Sequence, residues 1–252
     1  RMGALDVCPF VPVANVSMEE CVEISKRFAE RAAAELRIPI YLYEHSQTRE
    51  YRKKLPQIRK GDYEGLAEKI AQPDWKPDYG PAEFVPTWGA TVTGARLFLV
   101  AYNVNILGTT NQAHRIALDL REAGRGAGEP GRFKELKGLG WYVDEYNMAQ
   151  CSFNLNNYHV TAPHEVFEAV KEEAAKINVG VAGSELVGLV PLEAMLKAAD
   201  YYIARENLFI LDEDQKIKLV IDRMGLSAVS QFKPRERIIE YLIRDEPNEP
   251  LA

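Results

Sequence analysis

Few residues in this chain can move a proton near neutral pH: four histidines, His45, His114, His159 and His164, in 252 residues. None has a partner at i+3 or i+4 with a third ligand close by in sequence, so their spacing does not describe a metal site. His114 stands beside Arg115 early in an expected helix, where the pair could polarise an anion or simply face solvent. His159 and His164 flank another expected helix start, a position suited to a surface role. The cysteines Cys8, Cys21 and Cys151 form no CxxC pair, which argues against a disulfide framework or structural zinc and fits a reducing cytoplasm. The carboxylates Asp6, Glu83 and Glu185 fall in or beside loops and strands, and no pair of them is brought together by spacing.

Several stretches could instead bind through backbone or amide groups. "GAGEPG" at 126–131 has the letters of a dinucleotide fingerprint but follows a helix and leads into a strand, the reverse of the required context. It reads as a loop, with Arg121, Arg125 and Arg132 around it able to meet an anion. "GSELVGLVP" at 183–191 sets a loop before a helix N-terminus, which is either a tight connection or an anion cradle. Asn103 and Asn105 interrupt an apolar strand, where an amide is costly unless bonded; they belong either to a structural network or to a polar ligand's site. "GPAEFVPTWGAT" at 80–91 places Phe84 and Trp88 in a segment too rigid for a helix. The aromatics either plug a junction or offer a platform to a flat heterocycle.

The elements that must hold these residues follow from periodicity. Residues 3–13 and 38–44 read as strands around a helix capped by Ser17 and Glu20. Residues 45–93 read as irregular with one short helix near 63–71, and "ARLFLVAYNVNIL" as one strand. A helix at 110–123 with Thr110 as cap, two strands in "FKELKGLGWYV" and "AQCSFNLNNYHV", a helix capped by Thr161 and the strand "INVGVAGSELVG" complete a βαββαβ order. Three helices follow, near 191–205, 213–224 and 234–243. The first strand–helix–strand lacks sheet beside it, so its subdomain is expected to be incomplete at the N-terminus. With 46% hydrophobic and 27% charged residues the composition is globular, and no apolar run is long enough to insert in a membrane. A net charge of −6 disfavours nonspecific nucleic-acid binding, and the strands lack the aromatic pattern of RNA-binding ferredoxin-like modules.

Taken in order, "RMGALDVCPFVPV", "GPAEFVPTWGATVTGAR", "QAHRIALDLRE", "GRG", "GSELVGLVPLEA" and "KPRERIIEYLI" resemble the formiminotransferase domain found in formimidoyltransferase-cyclodeaminase. The resemblance runs from the first residue to about Arg244. It implies an α/β (α+β) chain of two ferredoxin-like βαββαβ-type subdomains, with extra C-terminal helices. The expected divisions are 1–97, 98–244 and a tail at 245–252. It also implies a cytoplasmic homodimer that uses no metal and binds folate in a cleft between subdomains. The family's folate-binding segment matches Gly80, Pro81, Ala82, Glu83, Phe84, Val85, Pro86, Thr87, Trp88 and Gly89.

The implied reaction is transfer of the formimino group from N-formimino-L-glutamate to N5 of tetrahydrofolate, a step of histidine degradation and one-carbon metabolism. In the family "RMGALD" is preceded by His-Pro, and that histidine is the expected acid/base; it would lie two positions upstream of Arg1. The sequence given ends at Ala252, before any cyclodeaminase domain. The resemblance leaves two alternatives: a noncatalytic folate-binding relative without the histidine, and a variant that transfers formyl from N-formylglutamate. Arg96, Arg115, Arg121 and Arg125 are the cations available for substrate carboxylates.

Overall fold

A computed structural model describes residues 1–245; residues 246–252, most of the expected tail, lie outside the described residues. The chain divides into two compact units, residues 1–97 and the residues from Phe98 onward. Both mix helix and sheet, the class expected from the sequence.

In the first unit, Ser17 starts α1 (Met18–Leu36) by a reciprocal cap. Its hydroxyl accepts from the Glu20 N–H at 3.1 Å, while the Glu20 carboxylate accepts from the Ser17 N–H at 2.7 Å. The buried stripe Cys21, Ser25, Ala29 and Ala33 is built of small side chains, so the helix can lie close to the sheet. Ala29 and Ala33 pack with Ile38, Ile40 and Leu42. The sheet holds β1 (Val7–Phe10), β2 (Ile40–Leu42) and β3 (Thr91–Ala95) in the order β1-β3-β2, all parallel. The expected strands at 3–13 and 38–44 thus shorten to their centres. Two short helices, α2 (Leu55–Arg59) and α3 (Leu66–Ile70), lie in the stretch read as irregular.

The central strand is the element that the sequence concealed. "ARLFLVAYNVNIL" is not one strand: Ala95 ends β3, and β4 (Val100–Leu107) begins the second sheet. β3 is "TVTGA", without an apolar run, and its polar side chains are satisfied internally. The hydroxyls of Thr91 and Thr93 donate to the carbonyls of Leu5 and Cys8, both at 2.7 Å, so the strand can be fully buried.

In the second unit the order is β4, α4 (Thr110–Leu120), β5 (Leu136–Val143), β6 (Met148–Leu155), α5 (Pro163–Lys176) and β7 (Gly180–Val187). The strands lie β5-β6-β4-β7, every neighbour antiparallel. Val100, Tyr102, Val104 and Ile106 of β4 join Ile116 and Leu120 of α4 and Val166, Phe167 and Val170 of α5 in one apolar cluster. Alternation along β4 therefore turns Asn103 and Asn105 to the other face of the sheet.

Two expected caps differ by one residue. Thr109, not Thr110, caps α4: its hydroxyl accepts from the Gln112 N–H at 3.3 Å. Ala162 is the N-cap of α5, because Pro163 sits in the first turn and Glu165 accepts from the Ala162 N–H at 2.7 Å. Thr161 instead donates its hydroxyl to the Lys134 carbonyl at 2.7 Å. The chain then continues through α6 (Leu192–Glu206), α7 (Glu213–Met224), α8 (Pro234–Arg237) and α9 (Ile239–Asp245). The last expected helix is split at Ile238, which forms a bridge to Val190.

Candidate functional site

The stretch 80–89 is held at both ends by backbone. Gly80 and Gly89 have φ of +83° and +78°, and a Cβ on either would come within 2.1 Å of the Ile38 carbonyl or 2.0 Å of the Met2 carbonyl. Only glycine fits such positions. At the C-terminal end the Ala4 N–H donates to the Trp88 carbonyl at 2.8 Å and the Ala90 N–H to the Met2 carbonyl at 3.0 Å. Inside the loop, the N–H groups of Trp88 and Gly89 both donate to the Val85 carbonyl, at 3.1 and 2.7 Å.

The two aromatics are anchors of this loop. Phe84 is half-buried against a cluster of Met2, Tyr41, Tyr43, Ile58, Leu66, Ala90 and Val92, with its ring 5.2 Å from that of Tyr63. The Tyr63 hydroxyl donates to the Pro86 carbonyl at 2.6 Å. Trp88 is half-buried on the other cluster, beside Ile38 and Ile40, and its indole N–H donates to the Thr91 hydroxyl at 3.0 Å. Pro81 and Val85 are half-buried, whereas Gly80, Ala82, Glu83, Pro86 and Thr87 are exposed. Next to the loop, Asp6 accepts from the Met2 N–H at 2.9 Å and forms a close ion pair with Arg59. The Arg59 Nε is buried with no hydrogen-bond partner among the described residues.

A second constellation lies on the sheet of the other unit. Register sets Asn103 opposite Glu185, Asn105 opposite Gln150, and Gln150 opposite Trp141. The Trp141 indole N–H donates to Gln150 Oε1 at 2.8 Å, and Gln150 Nε2 donates to Asn105 Oδ1 at 2.8 Å and to Glu185 Oε2 at 3.3 Å. Asn103 Nδ2 reaches the same Glu185 oxygen at 3.5 Å. Asn105 is wholly buried, and its Nδ2 has no partner among the described residues. An unmade bond of this kind costs about 1–3 kcal/mol. Gln150 and Trp141 were not read from the sequence; the alternation of β5 and β6 was the signal that could have found them.

The other candidates serve the fold. His114 Nδ1 accepts from the Gly140 N–H at 3.2 Å, tying α4 to β5, so its ring does more than face solvent. His45 is exposed, and the exposed His159 lies 3.5 Å from Glu193. His164 is not a surface residue: it is buried under Tyr201, ring centroids 4.8 Å apart, and burial pushes its pKa down to about 4. Arg125 pairs with both oxygens of Asp119 at 2.5 and 2.8 Å, Arg121 donates to the carbonyls of Gly124 and Gly138, and Arg132 pairs closely with Glu172. "GAGEPG" is a turn closed between Gly126 and Glu129. In "GSELVGLVP" the first residues are strand, and the Leu192 N–H at the start of α6 donates to Glu240 at 2.8 Å, so the chain's own carboxylate takes the anion's place. Asp6 is engaged by Arg59, Glu185 accepts from Asn103 and Gln150, and Glu83 is exposed. Among the described residues no group of three or more His, Cys, Asp or Glu could hold a metal ion, and no helix is long and apolar enough to cross a membrane.

Comparison with known families matches residues 1–96 to the N-terminal subdomain of the formiminotransferase domain and residues 101–244 to the formiminotransferase domain. The chain belongs to the formiminotransferase family. It is 63% identical over 254 residues to a formimidoyltransferase-cyclodeaminase of Dictyostelium discoideum, covering 100% of this chain and 47% of that protein. It is 57% identical over 245 residues to the Mus musculus protein of that name, covering 97% and 45%. A glutamate formimidoyltransferase of Streptococcus pyogenes serotype M1 is 46% identical over 209 residues, covering 82% of this chain and 68% of the relative. The formiminotransferase chain thus spans about half the length of the first two relatives.

Proposed function

We propose that this chain carries the part of its protein that transfers the formimino group from N-formimino-L-glutamate to N5 of tetrahydrofolate, giving 5-formiminotetrahydrofolate and L-glutamate. The observation that carries the reading is the match of both formiminotransferase models, together with the names of relatives identical at 46–63%. Tetrahydrofolate is a co-substrate, and the chemistry needs no metal. N5 attacks the formimino carbon to form a C–N bond and, by giving up its own proton to a base, a neutral tetrahedral intermediate. The bond to the glutamate nitrogen then breaks as that nitrogen takes a proton, a transfer suited to a group titrating near neutral pH. The family resemblance assigns it to a histidine preceding Arg1, and the buried or structurally engaged His164 and His114 are poor substitutes.

In this reading the stretch 80–89 contacts folate chiefly through its exposed part, Ala82, Glu83, Pro86 and Thr87, and through backbone groups, with Phe84 and Trp88 holding the loop in shape. Holding both substrates in attack geometry supplies much of the acceleration. Of the cations available for carboxylates, Arg121 and Arg125 are engaged by their own unit and Arg96 donates to the Leu97 carbonyl at 2.9 Å, which favours the exposed Arg115. The protein works as a cytoplasmic homodimer in histidine breakdown. Full-length protein should consume formiminoglutamate only when tetrahydrofolate is present. No consumption would sink the proposal in favour of a noncatalytic folate binder, and faster consumption of N-formylglutamate would make it a formyl transferase.

A further inference from the structure

We infer that the Trp141–Gln150–Asn105–Glu185 network is a ligand subsite for a planar N–C–N group, the chemistry shared by the 2-amino-4-oxopyrimidine edge of a pterin and by a formimino group. The ligand class rests on the proposed function; the subsite itself rests on the network. Its hydrogen-bond directions are forced one after another. An indole N–H can only donate, so Gln150 must turn its oxygen to Trp141. The Gln150 amide nitrogen then faces Asn105 and Glu185, and Asn105 must answer with its oxygen. That leaves Asn105 Nδ2 as a donor without an acceptor among the described residues, on a side chain that is wholly buried.

Nothing in the fold requires this outcome. The two amides of β4 occupy the sheet face opposite the apolar cluster, where leucine or valine would carry no unsatisfied group. Glu185, half-buried on β7, supplies carboxylate oxygens that already accept from two amides and can accept further N–H groups. Trp141 is 44% exposed beside it and offers a flat indole face. A planar N–C–N edge gives paired N–H donors to Glu185, and an adjacent carbonyl or imine lone pair accepts from Asn105. Among the described residues no cationic side chain bonds to the network, so a substrate's carboxylate tail is not its ligand.

The test uses full-length protein with two fragments, 6-methyltetrahydropterin and formamidine, in equilibrium titrations followed by tryptophan fluorescence and calorimetry. Glu185→Gln removes the charge at a half-buried site, and Asn105→Asp keeps the acceptor for Gln150 while removing the free donor. Each substitution should weaken binding of the recognised fragment about 10- to 100-fold, with the Glu185→Gln melting temperature unchanged. If Asn105→Asp fails to fold, Glu185→Gln decides alone. Binding of the pterin assigns the subsite to the folate head, and binding of formamidine alone assigns it to the donor's formimino group. The inference is overturned if the unmodified protein binds neither fragment, or if Glu185→Gln binds them as tightly as the parent. Formiminoglutamate consumption with no fragment binding would remove the subsite and leave the proposed function standing. Fragment binding lost in Glu185→Gln, in a protein that does not consume formiminoglutamate, would do the opposite.

Discussion

The loop at 80–89 and the amide network of the second sheet are both rigid, by opposite means. The loop is fixed by main chain: two glycines with positive φ lie against carbonyls, and its two aromatics are already engaged by the core and by Thr91. The network is fixed by side chains, each amide oriented by the one before it, and it ends in a donor that has no acceptor among the described residues. A loop whose anchors are spent can present only its exposed residues and backbone. A network that ends unsatisfied has unused bonding capacity, and a ligand that supplies the acceptor recovers it.

The sharpest way to break the first half of this contrast is Gly89→Val. A side chain there must adopt φ of +78° and overlap the Met2 carbonyl, so the first unit should lose about 3–4 kcal/mol, seen as a lower guanidinium midpoint. A change below about 1 kcal/mol would mean that the loop is not clamped by its backbone. The second half has its own control in His164, whose Nδ1 is another buried atom without a partner among the described residues. Burial lowers its pKa from 6.5 to about 4, against the opposing pull of Glu165 and with the help of Lys197. The unfolded state therefore binds the extra proton between these values. Its contribution is full above pH 6.5 and declines as the pH falls towards 4, by about 3 kcal/mol in all. Urea midpoints at pH 7, 5 and 4 should fall less steeply in His164→Gln than in the parent protein. Equal slopes would show that this orphaned atom is not what titrates.

How much of this was legible follows the same division. The cap at Ser17 and the strand–helix order of the second unit are local patterns, and the sequence carries them openly. β3 was hidden because its burial depends on hydroxyl bonds to Leu5 and Cys8, more than eighty residues away. The amides at Asn103 and Asn105 were visible as anomalies, but their partners Gln150 and Glu185 are set by strand register, which no single stretch records. His114 and the arginines near "GAGEPG" were misleading for a related reason. Their chemistry is consumed by carbonyls, carboxylates and an N–H group that become neighbours only on folding.

The smallest expected effect separates anchoring from recognition within the loop. Trp88→Phe keeps most of the half-buried aromatic packing beside Ile38 and Ile40 but deletes the indole N–H that donates to Thr91 at 3.0 Å. The Thr91 hydroxyl still donates to Leu5, so no buried donor is left alone and the cost should be about 1 kcal/mol. If the indole only anchors the loop, tetrahydrofolate affinity should match that of the parent once the protein is folded. Glu83→Gln, on the exposed part, should then alter affinity while leaving the denaturation midpoint in place. A tenfold loss of folate affinity in Trp88→Phe, with stability retained, would instead make the indole a contact surface, and the loop would share the network's dependence on a ligand.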